Sequence, residues 1–177
     1  MRETILMRKN SGFTLMEVMV TIGIIAIVSA IAVPNYMSWL PKHRMGGAAR
    51  DIYSAMQYAR MRAVKEKTRV TVSFSIGTND YTIFIDDGRG GGIANNNVAE
   101  PTETLKTGQM PVGVNMYFAS FSGGVPRTSF DARGLPSGFG GRVELSSLQN
   151  NNLFRQIRLR ISGNPIIRTS TDGIGWE

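Results

Sequence analysis

The chain has 177 residues, of which 42% are hydrophobic, and a formal net charge of +7 at pH 7. This length suits one compact domain with one further element, and a mean hydropathy of −0.09 excludes a polytopic membrane protein. The absence of cysteine and the single histidine exclude disulfides, thiolate zinc sites, cysteine nucleophiles and histidine-rich metal centres, so we expect no enzyme activity, cofactor or metal.

The first predicted element is an apolar helix near the N-terminus. No charged residue occurs from Val18 to Pro41, a run of 24 residues. At about 1.5 Å per residue, such a helix reaches roughly 36 Å, more than the ~30 Å hydrocarbon layer of a membrane. Pro34 interrupts the run, but neighbouring helices or water satisfy the freed carbonyl in a membrane or a bundle. By the positive-inside rule the N-terminal end stays cytoplasmic, because three basic residues precede the run: Arg2, Arg8 and Lys9.

Three interpretations of this segment compete. It is a secretory signal peptide cleaved after the small residues Ala30-Ile31-Ala32, a plain signal anchor, or a retained helix whose processing site lies between Lys9 and Glu17. Glu17 distinguishes them, because an unpaired carboxylate costs about 3 kcal/mol at the middle of a bilayer. A signal peptide that is removed gains nothing from that cost, which favours a helix that is retained for assembly.

The residues Gly12-Phe13-Thr14-Leu15-Met16-Glu17-Val18 resemble the class III signal of type IV prepilins and type II secretion pseudopilins. The likeness combines a short basic leader, glycine before phenylalanine, a glutamate four residues later and an apolar run. It implies that prepilin peptidase cleaves between Gly12 and Phe13 on the cytoplasmic side, that Phe13 is N-methylated, and that the apolar helix remains on the mature protein. Residues 1–12 are then a leader peptide and residues 13–41 a transmembrane or filament-core helix.

Glu17 has a physical role in this interpretation. Cleavage creates a new amine on Phe13, and positions 13 and 17 lie on one face of a helix, near the positive end of its dipole. When such helices bundle, Glu17 pairs with the Phe13 amine of a neighbouring subunit and sets its axial register, because a buried charge is tolerated only when it is paired. The resemblance implies the same assembly role for this glutamate. The alternative is that Glu17 caps its own helix.

The helix is expected to continue beyond the apolar run. Tyr36 and Trp39 lie where a membrane interface would begin, and Pro41 marks a kink or a restart of the helix. Apolar residues then recur every three or four positions, and basic residues fill many of the others, as in an amphipathic helix. The pattern predicts one long, bent helix from about Phe13 to about Lys67. Its apolar face in the second half comprises Met45, Ala48, Ala49, Ile52, Met56, Ala59 and Ala63.

After Arg69 the apolar period changes to two, which predicts β-strands. A hairpin is predicted from residues 69–75 and 81–86, and residues 87–108, rich in Gly, Asn and Thr, are a predicted long loop. The fold class is therefore α+β: a pilin-like long N-terminal helix, its apolar half protruding, packed on a C-terminal antiparallel β-sheet within a globular head of residues 42–177. Further strands are predicted at 114–119, 128–130, 143–148, 154–161 and 165–169.

Three segments of the head extend the resemblance, specifically to minor pilins of the GspH/FimT type. They are Tyr81–Gly88, Ser129–Gly134 and Arg158–Gly163, and with the leader the likeness covers most of the chain. Several members of that family carry a basic Gly-Arg-x-Arg turn that is tied to DNA binding. The matching position here reads Gly163-Asn164-Pro165-Ile166, with Arg168 beyond it, and this departure argues against a role in DNA uptake.

Two groups of residues in the head are weighed as binding sites. Four arginines on two neighbouring predicted strands form either a basic stripe for phosphate contacts or, as we prefer, a solvated outer face. Oxygen-bearing residues around the 87–108 loop suit calcium, but their spacing is not that of an EF-hand and they are also turn residues, so no metal site is assigned. The arginines are Arg155, Arg158, Arg160 and Arg168, and the loop residues are Asp86, Asp87, Asn95, Asn96, Asn97 and Glu100.

The resemblance implies a structural subunit held in the bacterial inner membrane by its helix, with the head in the periplasm, and then incorporated into a periplasmic or cell-surface filament. The favoured interpretation is a minor pilin that primes or caps assembly of a type IV pilus. A GspH-like pseudopilin of the type II secretion system is the close alternative, and a DNA-binding pilin for natural transformation is an alternative of another class. The expected partners are prepilin peptidase and other minor and major pilins or pseudopilins; nucleic acid is not favoured.

Overall fold

The computed structural model describes residues 12–88, 93–94, 96–150 and 152–177, so that all of the expected leader except Gly12 lies outside the described residues. Within them, one long helix precedes eight strands and one short 3₁₀ turn. The elements are α1 Leu15–Glu66, β1 Val70–Ser75, β2 Asp80–Ile85, β3 Thr104–Gln109, β4 Val114–Ser120, a 3₁₀ turn Ser122–Gly124, β5 Arg127–Phe130, β6 Gly141–Ser147, β7 Phe154–Leu159 and β8 Pro165–Ser170.

Helix α1 confirms the predicted long helix and continues through both internal prolines, so a restart at Pro41 does not occur. It begins after Thr14, whose Oγ1 accepts a hydrogen bond of 3.2 Å from the backbone N–H of Glu17, the geometry of an N-cap. It ends at Glu66; the next residue, Lys67, adopts a left-handed φ of 53°, and the N–H of Thr68 donates to the carbonyl of Ala63 at 3.3 Å. This pairing closes the last turn as a Schellman-type cap.

The chain divides into two units, between Trp39 and Leu40, which are described separately. In the first unit every described residue is exposed. An 18-residue window of α1 has a mean hydropathy of 2.4, and none of this window is buried. By length and composition the helix can cross a membrane, which is consistent with membrane anchoring.

The second unit, from Leu40 to Glu177 and called the head from here on, contains two four-stranded antiparallel sheets. The first has the strand order β3-β2-β1-β5, and the second has the order β4-β6-β7-β8. Strands β1 and β2 form the predicted hairpin, with Val70 opposite Ile85 and Ser75 opposite Asp80. In the second sheet, β6 pairs with β7 and β7 pairs with β8, each in antiparallel register. Because successive side chains of a strand point to opposite faces, the residues of these strands alternate between a core face and an outer face.

One face of α1 and both sheets form the core of the head. The seven residues of the predicted apolar face are all 2% exposed or less, and Ala55 lies with them. Ile52 and Met56 belong to the same buried cluster as strand residues of both sheets, such as Ile83 and Ile157. Burying a side chain of the size of Ile52 stabilises the fold by roughly 1.5–3 kcal/mol.

The predicted 87–108 loop is wrong at its C-terminal end, where strand β3 adds to the edge of the first sheet. Most of its side chains are partly or fully exposed, so the apolar alternation that marks β1 is missing. Gly108 lies opposite Tyr81, whose ring occupies the space that a side chain at position 108 would need. Position 108 therefore requires glycine although it lies in a strand, whereas glycine in the sequence indicates a loop.

Tyr81 also connects α1 to the first sheet. Its hydroxyl donates a hydrogen bond of 2.8 Å to Oδ2 of Asp51 on the helix, and Nζ of Lys106 in β3 lies 4.0 Å from Oδ1 of the same carboxylate. Burial, and then the neighbouring Asp51, raise the pKa of the Tyr81 phenol well above its ordinary value. The phenol therefore remains a protonated donor at physiological pH.

Candidate functional site

The expected processing junction lies at an open position of the chain. Gly12 is exposed, and among the described residues a Cβ built on it would meet nothing within 4 Å. Phe13 is 83% exposed. Packing therefore does not require a glycine at position 12, in contrast to position 108. The residue type at this junction calls for an explanation outside the fold, such as recognition by a peptidase.

The carboxylate of Glu17 projects from the first turn of α1. The stretch Thr14-Leu15-Met16-Glu17 matches the capping-box pattern, in which the cap and the glutamate bond reciprocally. The Thr14 hydroxyl accepts from the Glu17 N–H, but within the described part of the chain no bond returns from the Glu17 carboxylate. Thr14 thus supplies the cap, and the carboxylate is available to a group from outside this chain.

An apolar surface surrounds this end of the molecule on all sides of the helix. Large apolar side chains are exposed by between 43% and 83% throughout the first unit, which is far beyond the scattered exposure of an ordinary protein surface. Such a surface needs lipid or other helices around it. Its members are Phe13, Leu15, Met16, Val18, Met19, Val20, Ile22, Ile24, Ile25, Ile27, Val28, Ile31, Val33, Tyr36, Met37 and Trp39.

The second candidate site is a groove of about 1060 Å³ in the head, over the outer face of the β4-β6-β7-β8 sheet. Strand alternation places Arg158 of β7 on this face, directly opposite Arg142 of β6. Arg168 of β8 lies opposite Gln156 on the same face, and Arg160 follows the end of β7. We call this site the arginine groove, after Arg142, Arg158, Arg160 and Arg168, which all line it.

Arg155 does not join the other three arginines of the predicted stripe. Its place in β7 lies opposite Leu145 and Thr169, which puts it on the other face of the sheet from Arg158. It is partly buried there, and burial, followed by the charge of Arg50, lowers the pKa of its guanidinium. The stripe therefore keeps Arg158, Arg160 and Arg168 and loses Arg155, because the interval between positions 155 and 158 is odd.

Arg142 was not among the arginines predicted from the sequence, although both a carboxylate and an aromatic ring contact its side chain. Its Nε lies 2.8 Å from Oε1 of Glu144 in an ion pair, and Nε2 of Gln156 donates a hydrogen bond to the same oxygen at 2.9 Å. Its guanidinium carbon lies 4.9 Å from the ring centroid of Phe118, a cation–π arrangement. Burial, followed by the Glu144 carboxylate, raises the pKa of the adjacent Tyr117 to about 12. The alternation of Arg142 and Glu144 along β6 was the signal that could have identified this group.

The oxygen-rich loop is organised by its own backbone. Asp86 is buried, and its two carboxylate oxygens accept hydrogen bonds from the N–H groups of Asn96 and Asn97 at 3.1 and 3.0 Å. Oε1 of Glu103 accepts from the N–H of Gly88 at 2.6 Å. Among the described residues, which do not include Asn95, no three His, Cys, Asp or Glu side chains are grouped to hold a metal ion. These contacts explain the acidic residues as loop-forming ones.

Two family models match the chain. The model described as type II transport protein GspH matches residues 48–164, more than half of the chain and most of the head. The model described as a prokaryotic N-terminal methylation motif matches residues 7–33, which include the Gly12–Phe13 junction and Glu17. One match thus falls within each of the two units.

Among curated proteins, the similar sequences are pilins and a peptidase-dependent protein. Prepilin peptidase-dependent protein D of Escherichia coli (strain K12) is 61% identical over 36 residues, which are 20% of this chain and 25% of that protein. A fimbrial protein of Pseudomonas aeruginosa is 31% identical over 90 residues, covering 47% of this chain and 58% of that protein. The chain thus spans from a quarter to less than two thirds of the length of these relatives.

Two solved structures share the fold at low sequence identity. The type IV minor pilin FimU of Pseudomonas aeruginosa (strain PAO1) superimposes with a TM-score of 0.54 and 13% identity, covering 77% of this chain and 94% of the other. The minor pseudopilin EpsH from the type 2 secretion system of Vibrio cholerae gives a TM-score of 0.52 and 11% identity, covering 73% and 98%. This similarity confirms the predicted α+β fold, with a long N-terminal helix packed on antiparallel sheets.

Proposed function

Because this chain belongs to the GspH family of type II transport proteins, a family of minor pilins and pseudopilins, we propose that it is a minor pilin that primes or caps assembly of a type IV pilus. The observation that carries the proposal is the union of two features in one chain. A helix whose first half is apolar and exposed follows the Gly12–Phe13 junction, and the chain continues into a head that matches the GspH model. Both features serve assembly, and the function is structural.

The apolar helix occupies two environments in succession. In the inner membrane its side chains contact lipid, and in a filament they contact the helices of other subunits. Each environment is apolar, so that extraction from the membrane exchanges one for the other at little hydrophobic cost. The head, on the periplasmic side, remains in water throughout. This division supports an inner-membrane precursor and a periplasmic or cell-surface filament.

Glu17 gives this exchange its specificity. Cleavage after Gly12 leaves an amine on Phe13, and the Glu17 carboxylate has no partner among the described residues of its own chain. An unpaired carboxylate costs about 3 kcal/mol at the middle of the bilayer and less towards its surface. Pairing with the amine of a neighbouring subunit relieves that cost at one axial register and not at others. The expected partners are therefore prepilin peptidase first, and other minor and major pilins afterwards.

The mass of the mature N-terminus tests this proposal directly. The full chain is expressed in a bacterium with an active prepilin peptidase, and the purified membrane form is analysed by mass spectrometry. We expect a protein that begins at a methylated Phe13. A mature chain that begins at Val33, after the alternative signal-peptide site, would overturn the proposal. A mature chain that retains residues 1–12 despite active peptidase would do so as well.

A pseudopilin of the type II secretion system is the second candidate, favoured by the description of the GspH model itself. The two candidates differ in the filament that the subunit enters. Site-specific photocrosslinking from the head in the source bacterium distinguishes them, because the captured neighbour is either a pilin or a pseudopilin. We expect pilins; capture of pseudopilins alone would assign the chain to secretion. A role in DNA uptake is not part of the proposal, because the Gly-Arg-x-Arg turn is replaced and Arg155 faces away from the groove.

A further inference from the structure

The arginine groove is a strongly charged surface that the proposed function leaves unused. Arg142 and Arg158 lie directly opposite each other on β6 and β7, an arrangement in which like charges destabilise a sheet. Of the four arginines, Arg142 alone forms an ion pair among the described residues. A structure that holds this repulsion on one face gains stability when an anion binds between the two guanidinium groups.

The guanidinium of Arg142 already has a fixed orientation in which it can bind such an anion. Glu144, whose side chain is only 9% exposed, engages its Nε, while the Phe118 ring supports the guanidinium plane. The side chain of Arg142 is nevertheless 51% exposed, and within the described part of the chain no other bond engages its terminal amino groups. Because its orientation is already fixed, this guanidinium loses little conformational entropy when it binds two oxygens of a ligand.

The margins of the groove are apolar and exposed. Phe139, Ile161 and Ile174 are 82%, 70% and 83% exposed, and all three line the groove beside the arginines. Exposed side chains of this size, placed around a charged floor, indicate a ligand that offers both negative charge and apolar groups. Ile161 and Ile174 pack well against leucine, isoleucine or phenylalanine but offer nucleic-acid bases no ring to stack on, whereas Phe139, and Trp176 which also lines the groove, are aromatic. The two isoleucines therefore favour a peptide.

We propose that the arginine groove binds an acidic peptide segment of another protein, in which Asp or Glu stands next to aliphatic or aromatic residues. Arg142 and Arg158 bind its carboxylates, and Phe139, Ile161 and Ile174 cover its apolar side chains. Glu144 is a positioning residue that acts through Arg142. This surface goes beyond the proposed function, since it belongs to the head and requires neither cleavage at Gly12 nor entry into a filament.

Fluorescence anisotropy tests the proposal on the full chain in detergent micelles. The probe is a labelled short peptide in which Glu alternates with Leu, and the matched probe replaces every Glu by Gln. We expect saturable binding of the Glu peptide that weakens as salt increases, and binding of the Gln peptide that is at least about tenfold weaker. Equal affinity for the two peptides, or no binding of either, overturns the proposal.

Variants then assign the binding to the groove. Arg158→Gln removes an exposed side chain that has no ion pair with any described residue. This variant and Arg142→Gln are each expected to weaken binding of the Glu peptide by about tenfold. Arg142→Lys retains the charge but not the planar fork, so it should also weaken binding. The control is Arg69→Gln, which makes the same change of charge outside the groove and should leave affinity unchanged. Equal losses in Arg69→Gln and Arg158→Gln would overturn the site.

Nucleic acid provides the opposing result. Single-stranded and duplex oligonucleotides are titrated under the same conditions, with the same variants. We expect them to bind more weakly than the Glu peptide, and to respond similarly to Arg69→Gln and Arg158→Gln because a diffuse basic charge attracts them. Oligonucleotide binding that is tighter than peptide binding and is lost in Arg158→Gln would overturn the assignment to acidic peptides.

Discussion

The two units of this chain contain similar kinds of apolar residue and use them in opposite ways. From Phe13 to Trp39 the large apolar side chains are all exposed, whereas Met45, Ile52 and Met56, on the same continuous helix, are completely buried. The head is therefore stable through its own packing, whereas the first unit depends on lipid or other subunits. Both halves are helical, so their secondary structure does not show this difference. They differ in whether apolar residues occupy one face of the helix or all of its faces.

A pair of glycines provides the sharpest test of this comparison. Gly12→Val should abolish cleavage by prepilin peptidase completely, while the thermal unfolding of the head remains unchanged, because no described residue packs against position 12. Gly23→Val is the matched control: Gly23 is equally open but lies within the helix, so cleavage should continue. Mass spectrometry of the N-terminus reads the outcome. Normal processing of Gly12→Val would show that the junction is not where the peptidase acts.

A pair of isoleucines tests the same comparison through stability. Ile52→Ala removes a buried side chain and leaves a cavity, so it should lower the free energy of unfolding of the head by about 2–5 kcal/mol. Ile25→Ala makes the same change at a side chain that is 62% exposed, and it should leave the unfolding of the head unchanged. Thermal unfolding in detergent, followed by circular dichroism, measures both. Similar losses in the two variants would mean that the first unit packs within the same core.

The elements that could be predicted from the sequence are those in which apolar residues follow a clear pattern. The long helix and its buried face were predictable, because a 3.6-residue period of Met, Ala and Ile is a strong signal of one-sided burial. Strand β3 was not, because an edge strand with exposed side chains and a glycine under Tyr81 lacks an alternating pattern. Neighbours across a sheet depend on register, which is why Arg142 and Arg158 became a pair only in the structure.

A substitution of Glu17 tests whether the exposed first unit pairs with a neighbouring subunit. Glu17→Ala should leave cleavage after Gly12 intact but reduce incorporation of the subunit into filaments by at least about tenfold, since the register-setting pair is lost. The amount of subunit in isolated filaments, relative to the membrane fraction, measures the effect. Thr21→Ala is the control, because Thr21 is polar, lies one turn further along, and its hydroxyl already donates to the carbonyl of Val18 at 2.8 Å. Equal incorporation of both variants would contradict the pairing.

The smallest expected effect concerns the C-terminal turn of the head, which places Ile174 at the margin of the arginine groove. Oδ1 of Asp172 accepts hydrogen bonds from the Ser170 hydroxyl and from the N–H groups of Ile174 and Gly175 at 2.6, 2.9 and 2.9 Å. The hydroxyl of Ser170, and then these backbone donors, lower the pKa of the Asp172 carboxyl to about 2, against 3.8 for the unperturbed group.

A lowered pKa means that Asp172 stabilises the folded head when it is ionised. This contribution is complete above pH 3.8 and is lost as the pH falls towards 2, because the unfolded chain takes up its proton first. Asp172→Asn should therefore unfold with a weaker acid dependence than the parent chain in this range, and the two should differ most at neutral pH. Ser170→Ala removes the hydrogen bond that lowers the pKa of Asp172 most, so the pKa in the folded head should rise towards its ordinary value. The pH range over which stability changes should then begin above pH 2. Parallel pH profiles of stability for the parent chain and Asp172→Asn would show that the turn does not depend on this carboxylate.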